Sequence, residues 1–195
     1  NADDENSMQV MNSIDRDVRT FGIHKHADYR AVNIQEYKPG FYEFDVPEFG
    51  EPHGHLRLGA PGYHNIYNAL AMVACVPIVG LHTEDAARAA EAFKGAGRRF
   101  EIKGEVNGAT VVDDYAHHPT ELRATLQTAR ELVQGRLWAV HQPFTYSRTK
   151  ALLDDFAQVL QLADVVVLTP IMGSREVDDG SVKTADLAAK IPGAV

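Results

Sequence analysis

Apolar and polar residues alternate in the first third of the chain, a pattern typical of strands with one buried face. The alternation predicts short strands at residues 18–22, 29–37 and 40–46, separated by clusters of Gly and Pro. Further along, the apolar spacing lengthens to that of helices, at residues 63–75 and 83–93. Thr83 and the two acidic residues after it suit a helix start, whereas Pro77 is expected to kink or shorten the preceding helix.

In the second half of the chain, short apolar runs alternate with helical segments. The predicted strands are residues 110–112, 137–140 and 164–168, and the predicted helices are residues 119–131, 147–162 and 184–190. Continuous apolar strands separated by helices are typical of a parallel, doubly wound, Rossmann-like sheet, whose ligands bind at the carboxyl ends of the strands. We therefore predict an α/β protein. The stretch Lys94–Gly97 predicts a domain boundary, with one domain at residues 1–95 and another at 96–195.

Charge and composition exclude several classes of partner. The 195 residues include 19 Lys and Arg against 27 Asp and Glu, a net charge of −8. An acidic chain without a basic run is not expected to bind nucleic acid or an anionic membrane. The longest apolar run, residues 69–79, is shorter than the roughly 20 residues of a membrane-spanning helix and predicts a core segment. A single cysteine, Cys75, cannot form an intrachain disulfide, which favours the reducing cytoplasm.

The densest set of reactive side chains follows the first predicted strand of the second half. Two carboxylates, a phenol and two imidazoles lie between Asp113 and His118. Carboxylates at a strand end can accept ribose hydroxyls or hold water around Mg²⁺, and an imidazole can contact an anionic substrate or a reactive amine. The alternative is a structural loop, in which Asp114 and Thr120 satisfy backbone amides and the histidines are solvated. The clustering of these groups favours a functional site.

A second polar loop, residues 142–149, follows the next predicted strand. Arg148 lies one turn into a helix whose free amides favour an anion, and its guanidinium suits a phosphate or a carboxylate. Alternatively, Arg148 is a surface residue and Ser147 caps the helix. Because the carboxyl ends of adjacent parallel strands lie at one edge of a sheet, the two loops are predicted to share a cleft.

Two other groups of residues can contact a nucleotide. His64, Asn65 and Asn68 lie in the first turns of a predicted helix. Asn65 and Asn68 share one helix face, where their amides can contact an adenine edge or a phosphate. Near the domain boundary, Arg98 and Arg99 offer paired guanidinium groups, with salt bridges to nearby glutamates as the alternative.

Two His-x-His pairs raise the possibility of a zinc site. His24 and His26, and also His53 and His55, place two imidazoles on one face of an extended segment. No cysteine lies nearby, so solvated histidines are the favoured interpretation and no metal ligand is assigned. The sequence also contains no Gly-Lys dipeptide, which excludes the G-x-x-x-x-G-K-[ST] phosphate loop from this chain.

Four segments, taken together, resemble the Mur ligases, which form amide bonds during peptidoglycan synthesis. They are residues 61–68 (P-G-Y-H-N-I-Y-N), 93–101 (F-K-G-A-G-R-R-F-E), 113–121 (D-D-Y-A-H-H-P-T-E) and 142–149 (Q-P-F-T-Y-S-R-T). Within the family, they are similar to the branch that joins L-alanine to UDP-N-acetylmuramate. The family usually has F-Q-P-H before the T-Y-S-R-T stretch, whereas His141 and Phe144 exchange the two rings here.

The resemblance implies a longer, three-domain, cytoplasmic enzyme of which this chain is the later part, truncated at both ends. Residues 1–95 would end the central ATP-binding domain, and residues 96–195 would form most of a Rossmann-like C-terminal domain. The phosphate loop and the UDP-sugar domain would lie in a missing N-terminal part of the same chain. ATP and Mg²⁺ would phosphorylate the muramoyl carboxylate, and the alanine amine would attack the acyl phosphate. This chain alone is therefore expected to be inactive.

The resemblance also implies roles for individual residues. The nucleotide-binding residues would be His64, Asn65 and Asn68 at the adenine, Arg99 near the phosphates and Asp114 at the ribose. The catalytic and substrate-binding residues would be Tyr115, His117 and Arg148, near the alanine and the acyl phosphate. Among these, Arg148 would bind the alanine carboxylate.

Two other functions stay open. A related Mur ligase that recycles whole tripeptides shares the D-D-x-A-H-H-P element, but it generally has Phe at the position of Tyr115 and lacks a T-Y-S-R-T run. The other is a binding or regulatory module that keeps the nucleotide-facing loops without catalysis. Competition between L-alanine and tripeptide would separate the two ligases.

Overall fold

The computed structural model of the chain describes residues 1–48 and 51–195. It divides into Asn1–Ala96 and Gly97–Val195, which we call unit 1 and unit 2. Each unit has a hydrophobic core of its own. Both units combine helices with strands, which confirms the predicted α/β class.

Unit 1 begins with helix α1 (Glu5–Met11) and two short parallel strands, β1 (Phe21–Gly22) and β2 (Tyr29–Arg30). An antiparallel sheet in the order β3-β4-β5 follows, with β3 at Val32–Lys38, β4 at Phe41–Glu48 and β5 at Glu51–Arg57. The hydrophobic pattern does not predict β5, because residues 51–57 contain Pro, Gly and charged residues instead of alternating apolar ones.

The helices of unit 1 are α2 (His64–Cys75) and α3 (Thr83–Ala92), with a 3₁₀ turn at Val76–Val79 between them. Pro77 lies in that turn, so the predicted shortening of α2 is confirmed. The buried face of α2 repeats at helical spacing and packs with the sheet in the core, whose fully buried members include Phe44, Leu56, Ile66, Leu70 and Val73.

The apolar run at residues 69–79 is only partly a core segment. Its helical part buries Leu70 and Val73, as predicted. Cys75, however, is exposed at the end of α2, and Ile78 and Val79 are exposed in the turn that follows. Among the described residues, no helix combines the length and the apolar character that crossing a membrane requires.

Asp3 holds the turn that follows β1. Its carboxylate accepts hydrogen bonds from the backbone amides of Ile23 (2.6 Å), Lys25 (2.7 Å) and His24 (3.1 Å). The Tyr67 hydroxyl of α2 also donates to it, at 3.0 Å. Burial acts to raise the pKa of Asp3, but the four donors outweigh burial and lower the pKa to about 2. The carboxylate thereby joins the N-terminus, the turn and α2.

Unit 2 starts with an antiparallel hairpin of β6 (Glu101–Val106) and β7 (Ala109–Asp113). The elements that follow are α4 (Pro119–Leu132), β8 (Trp138–His141), α5 (Tyr146–Ala151), α6 (Leu153–Leu160), β9 (Val165–Leu168) and α7 (Thr184–Ala188). The predicted single helix at 147–162 is thus two helices, because the backbone leaves the helical region at Leu152 (φ −116°, ψ 25°).

Strands β8 and β9 form the predicted parallel pair, in a register that joins Trp138 to Val165 and His141 to Leu168. A parallel bridge between Phe144 and Met172 extends this pairing beyond the strand ends. Within the described residues, β7 pairs with β6 and not with β8. The core lies between the helices and the β8–β9 pair and includes Leu122, Leu126, Phe156, Val159, Leu160 and Val166.

We predict that Asp3→Asn destabilises unit 1 by about 2 kcal/mol, because a neutral amide replaces a charged acceptor of several hydrogen bonds. Hydrogen exchange of amides in β1 and α2 measures the loss within unit 1 alone. Asp4→Asn is the matched control, because the Asp4 carboxylate accepts from the backbone amide and the hydroxyl of Ser7 at the exposed start of α1 and joins no other part of unit 1 in the hydrogen bonds described. Equal losses in the two variants would contradict the prediction.

Candidate functional site

Asp114 shapes the loop between β7 and α4, the densest polar segment of the chain. Its Oδ2 accepts from the backbone amide of Phe100 (2.8 Å) and its Oδ1 from that of Ala116 (2.7 Å). Asp114 therefore does satisfy backbone amides, which is the structural alternative considered for it. A ribose contact would have to use the remaining lone pairs of the carboxylate, so that role stays a prediction.

Glu121, in the first turn of α4, holds the other end of the loop. One carboxylate oxygen accepts from the amides of His117 (2.9 Å) and His118 (3.2 Å). Partial burial acts to raise the pKa of Glu121, but these amides and the charge of Arg99, with that of His117 whenever its ring is protonated, outweigh burial, so the pKa lies below its usual range. Glu121 is therefore a charged acceptor at neutral pH.

The imidazole of His117 is fixed in one orientation. Its Nδ1 lies 2.9 Å from the carbonyl oxygen of Tyr115. A carbonyl can only accept a hydrogen bond, so Nδ1 carries the hydrogen and Nε2 of the neutral ring keeps a lone pair. The Tyr115 ring meets the His117 ring edge to face, with centroids 5.3 Å apart. This arrangement leaves Nε2 as a proton acceptor.

Arg98 lines the site, although the family resemblance implies a nucleotide contact for its neighbour Arg99 and not for Arg98. Its guanidinium lies over the Tyr115 ring, 4.6 Å from the centroid, and 3.6 Å from the Asp113 carboxylate. The amide of Tyr115 also donates to the Arg98 carbonyl (2.8 Å). Arg99, the residue selected for nucleotide binding, does not line the cleft described below. The adjacent pair of arginines was the only signal, and it did not distinguish the two.

Phe144, in the loop after β8, contacts two of the predicted residues. Its ring lies edge to face with that of His117, with centroids 6.1 Å apart. The Arg148 guanidinium lies 5.7 Å from the Phe144 ring centroid, and Arg148 Nη1 donates to the Phe144 carbonyl (2.7 Å). No described carboxylate forms an ion pair with Arg148. The cation is therefore available to an anionic ligand.

A cleft of about 620 Å³ in unit 2 is lined by most of these groups, whereas Arg148, like Arg99, is not among its lining residues. Leu122 and Leu126 of α4 form part of its apolar wall, and its polar side carries Arg98, Asp114, Tyr115, His117 and His141, with Phe144 beside them. Residues of the loops after β7 and β8 both line this cleft, as the sequence predicts. The roles of Tyr115, His117 and Arg148 in chemistry stay predictions.

His141 lies at the end of β8 and is a buried, ionisable residue, unlike Phe144. It is 6% exposed, and its ring packs against Phe156 with centroids 5.6 Å apart. Its buried Nε2 has no hydrogen-bond partner among the described residues. Burial lowers the pKa of His141 to about 4, so the ring is neutral at physiological pH.

The unit 1 candidates lie together at the start of α2. Asn65 Nδ2 donates to the Pro61 carbonyl (2.7 Å), and Asn68 Nδ2 donates to Asn65 Oδ1 (2.8 Å). The side-chain oxygen of Asn68 and the second Nδ2 hydrogen of each asparagine stay available. An acceptor beside such donors suits the edge of an adenine. His64 is in the same turn. Their nucleotide-binding role stays a prediction.

The histidine pairs give the zinc alternative no support. His55 Nδ1 lies 2.9 Å from Asp45, and its Nε2 lies 3.8 Å from Glu43, both on β4. His24 and His26 are exposed, and the side chain of His53 is outside the part that the structure describes. Within that part, no group of three or more His, Cys, Asp or Glu side chains could hold a metal ion.

Comparison with known families decides the classification. Residues 98–195 match the model of the Mur ligase, glutamate ligase domain, and residues 1–76 match that of the Mur ligase middle domain. The chain belongs to the Mur ligase family. The family resemblance read from the four sequence segments is therefore confirmed.

Relatives of this Mur ligase chain include enzymes and solved structures. It is 46% identical over 185 residues to the UDP-N-acetylmuramate–L-alanine ligase of Caldanaerobacter subterraneus subsp. tengcongensis, an alignment that covers 95% of this chain and 40% of that enzyme. The structure of UDP-N-acetylmuramate-alanine ligase MurC from Thermotoga maritima matches with a TM-score of 0.70 and 32% identity, over 90% of this chain and 38% of that one. A murein peptide ligase from Psychrobacter arcticus matches with a TM-score of 0.56 and 33% identity, over 77% and 32%.

The chain spans about 40% of the length of the curated relatives it matches.

We predict that unit 2 loses stability as the pH falls from about 6.5 to about 4, and that His141→Phe removes this loss. In that range the unfolded chain binds a proton that folded His141 excludes, so protonation favours unfolding by up to about 3 kcal/mol. Above pH 6.5 both states are neutral and the stabilisation is complete. Urea unfolding of unit 2 at several pH values, compared between parent and variant, measures the difference. The same pH slope in both proteins would contradict the prediction.

Proposed function

We propose that this chain is the nucleotide- and amino-acid-binding part of a cytoplasmic, ATP-dependent ligase that joins L-alanine to UDP-N-acetylmuramate. One observation carries the proposal: the imidazole of His117 and the guanidinium of Arg148 contact the same ring, that of Phe144, and among the described residues no carboxylate pairs with Arg148. An α-amino acid presents an amine beside a carboxylate, and these two groups need an acceptor and a cation. The 46% identity to an enzyme named for this reaction supports the choice of alanine.

Arg148 binds the carboxylate of the amino acid in this proposal. One guanidinium nitrogen, Nη1, already donates a hydrogen bond to the Phe144 carbonyl. The remaining N–H groups form a planar fork that can donate two parallel hydrogen bonds to a carboxylate. A lysine at this position would present a point charge without the fork.

His117 accepts the proton that the amine releases when it attacks the activated muramoyl carboxyl carbon. The hydrogen bond from Nδ1 to the Tyr115 carbonyl keeps the tautomer in which Nε2 has its lone pair. Tyr115, with Arg98 over its ring, forms the adjoining wall of the cleft. The attack forms the amide bond and expels phosphate.

Asn65 and Asn68 contact the adenine, with His64 beside them. Asp114 accepts a ribose hydroxyl in addition to its two amides, and Arg99 lies near the phosphates. ATP supplies the phosphoryl group that activates the carboxylate. Among the described residues, no three or more His, Cys, Asp or Glu side chains are grouped to hold a metal ion, and we assign no step of this chain to Mg²⁺.

The units have separate assignments in this proposal. Unit 1 belongs to the central ATP-binding domain and unit 2 to the C-terminal domain. A part of the enzyme outside this chain supplies the phosphate loop and the UDP-sugar site, so this chain alone is inactive.

A murein tripeptide ligase is the second candidate. The 33% identity to the Psychrobacter arcticus enzyme favours it as much as the 32% identity to MurC favours the first. The TM-score is lower, however, and this chain has Tyr115 and the T-Y-S-R-T run, which the sequence comparison links to the alanine-adding branch. Parallel assays with L-alanine and with tripeptide distinguish the two.

We predict that Arg148→Lys raises the KM for L-alanine at least about 10-fold, because the lost fork weakens carboxylate binding. The KM for ATP should change less than about 2-fold. The assay is ADP formation by the complete gene product, with UDP-N-acetylmuramate and L-alanine or tripeptide as substrates.

Arg130→Lys is the matched control, because Arg130 pairs with Asp164 (3.0 Å) outside the cleft. Its KM values should equal those of the parent. ADP formation that does not depend on L-alanine in the parent enzyme would contradict the proposed function.

A further inference from the structure

We propose that Phe144 is a positioning residue: its ring and carbonyl hold the Arg148 guanidinium in the orientation that binds the amino-acid carboxylate. This inference rests on the proposed function of Arg148. If it holds, Phe144 contributes to the affinity for the amino acid although it does not bind the carboxylate itself.

Two contacts from the one residue restrain Arg148. The Phe144 carbonyl accepts from Nη1 (2.7 Å), which fixes one corner of the guanidinium. The ring lies 5.7 Å from Cζ, within the range of a cation–π interaction. An arginine side chain otherwise has many rotamers, and ordering it on ligand binding lowers affinity. A restraint before binding therefore favours the bound geometry.

Phe144 can restrain Arg148 because its own backbone is held. The parallel bridge to Met172 continues the β8–β9 pair, and the Met172 amide donates to the Pro143 carbonyl (2.9 Å). On the other side, Thr149 donates to the Thr145 carbonyl through its amide (2.9 Å) and its hydroxyl (2.6 Å). A site built on such an extension of a sheet is positioned more precisely than one on a free loop.

The ring of Phe144 has a second contact, the edge-to-face packing against His117. Phe144 therefore sets the spacing between the proton acceptor and the carboxylate-binding cation. An aromatic ring without ionisable groups suits this position, because it attracts the guanidinium at every pH. The ionisable ring of the same segment, His141, is buried against Phe156 instead.

The test is steady-state kinetics of the complete gene product with Phe144→Leu and Phe144→Tyr. Leu keeps the apolar volume but removes the aromatic face, and we expect the KM for L-alanine to rise about 5- to 10-fold. Tyr keeps the face, and its KM should stay within about 2-fold of the parent. In both variants the KM for ATP should stay within about 2-fold, and kcat should fall less than about 3-fold.

A double-variant comparison separates positioning from a merely structural role. If Phe144 acts through Arg148, Phe144→Leu should raise the KM less than about 2-fold in the Arg148→Lys background. Phe41→Leu is the matched control, because the Phe41 ring also carries a cation, Lys38 Nζ at 3.6 Å, but lies in unit 1. It should leave all KM values unchanged.

Three outcomes would overturn the inference, and each has a separate meaning. If Arg148→Lys raises the KM for L-alanine but Phe144→Leu does not, Phe144 does not position Arg148 and the proposed function stands. If neither variant changes that KM, the assignment of Arg148 in the proposed function is wrong as well. Equal effects of Phe144→Leu in both backgrounds would also overturn it, because they would show that Phe144 acts independently of Arg148.

Discussion

The loop between β7 and α4 depends on two carboxylates that accept hydrogen bonds from its backbone amides. These amides have no partner in a strand or helix, and amides left unsatisfied in a partly buried loop would cost more than most single contacts contribute. The Asp114 carboxylate accepts from the amides of Phe100 and Ala116, and the Glu121 carboxylate accepts from those of His117 and His118. The loop is thus a defined structure, and the orientation of the His117 ring follows from it.

The loops after β7 and β8 are coupled through an apolar side chain. Asp114 and Glu121 fix the first loop, whereas the bridge from Phe144 to Met172 fixes the second. The Phe144 ring then connects the two loops, because it contacts both the His117 ring and the Arg148 guanidinium. An acceptor and a cation are thus kept near each other without forming an ion pair, which leaves both available to a ligand.

The spacing of hydrophobic residues predicted those helices and strands whose pattern is complete within one short stretch of the chain. It located α2, α3, α4 and the parallel β8–β9 pair, and Pro77 marked the end of α2. The β6 strand was not predicted, although Asn107-Gly108 is a common two-residue hairpin turn, and both residues have the positive φ that such a turn requires. The missed turn also explains why β7 was expected to pair in the parallel sheet and instead pairs with β6.

The site was predictable only where its residues are close in sequence. The cluster of Asp114, Tyr115 and His117 lies in one loop, so composition alone indicated it. Phe144 was not selected because an apolar residue in a polar loop has no chemical signal of its own. Its importance depends on a contact with His117, which is distant in the chain and is not visible to periodicity or motif.

Many of the acidic residues behind the net charge of −8 serve the fold as acceptors. Asp3, Asp28, Asp164 and Glu176 each accept from at least one backbone amide, and the pKa of each is lowered. A carboxylate with a lowered pKa stabilises the folded state above its unfolded pKa, and that contribution is lost as the pH falls through the folded value, about 2 for Asp3 and Glu176. His141 acts in the same direction at higher pH, because its pKa is also lowered. Acidification therefore affects the core of unit 2 first, through one imidazole, and only then releases the loops that the carboxylates hold.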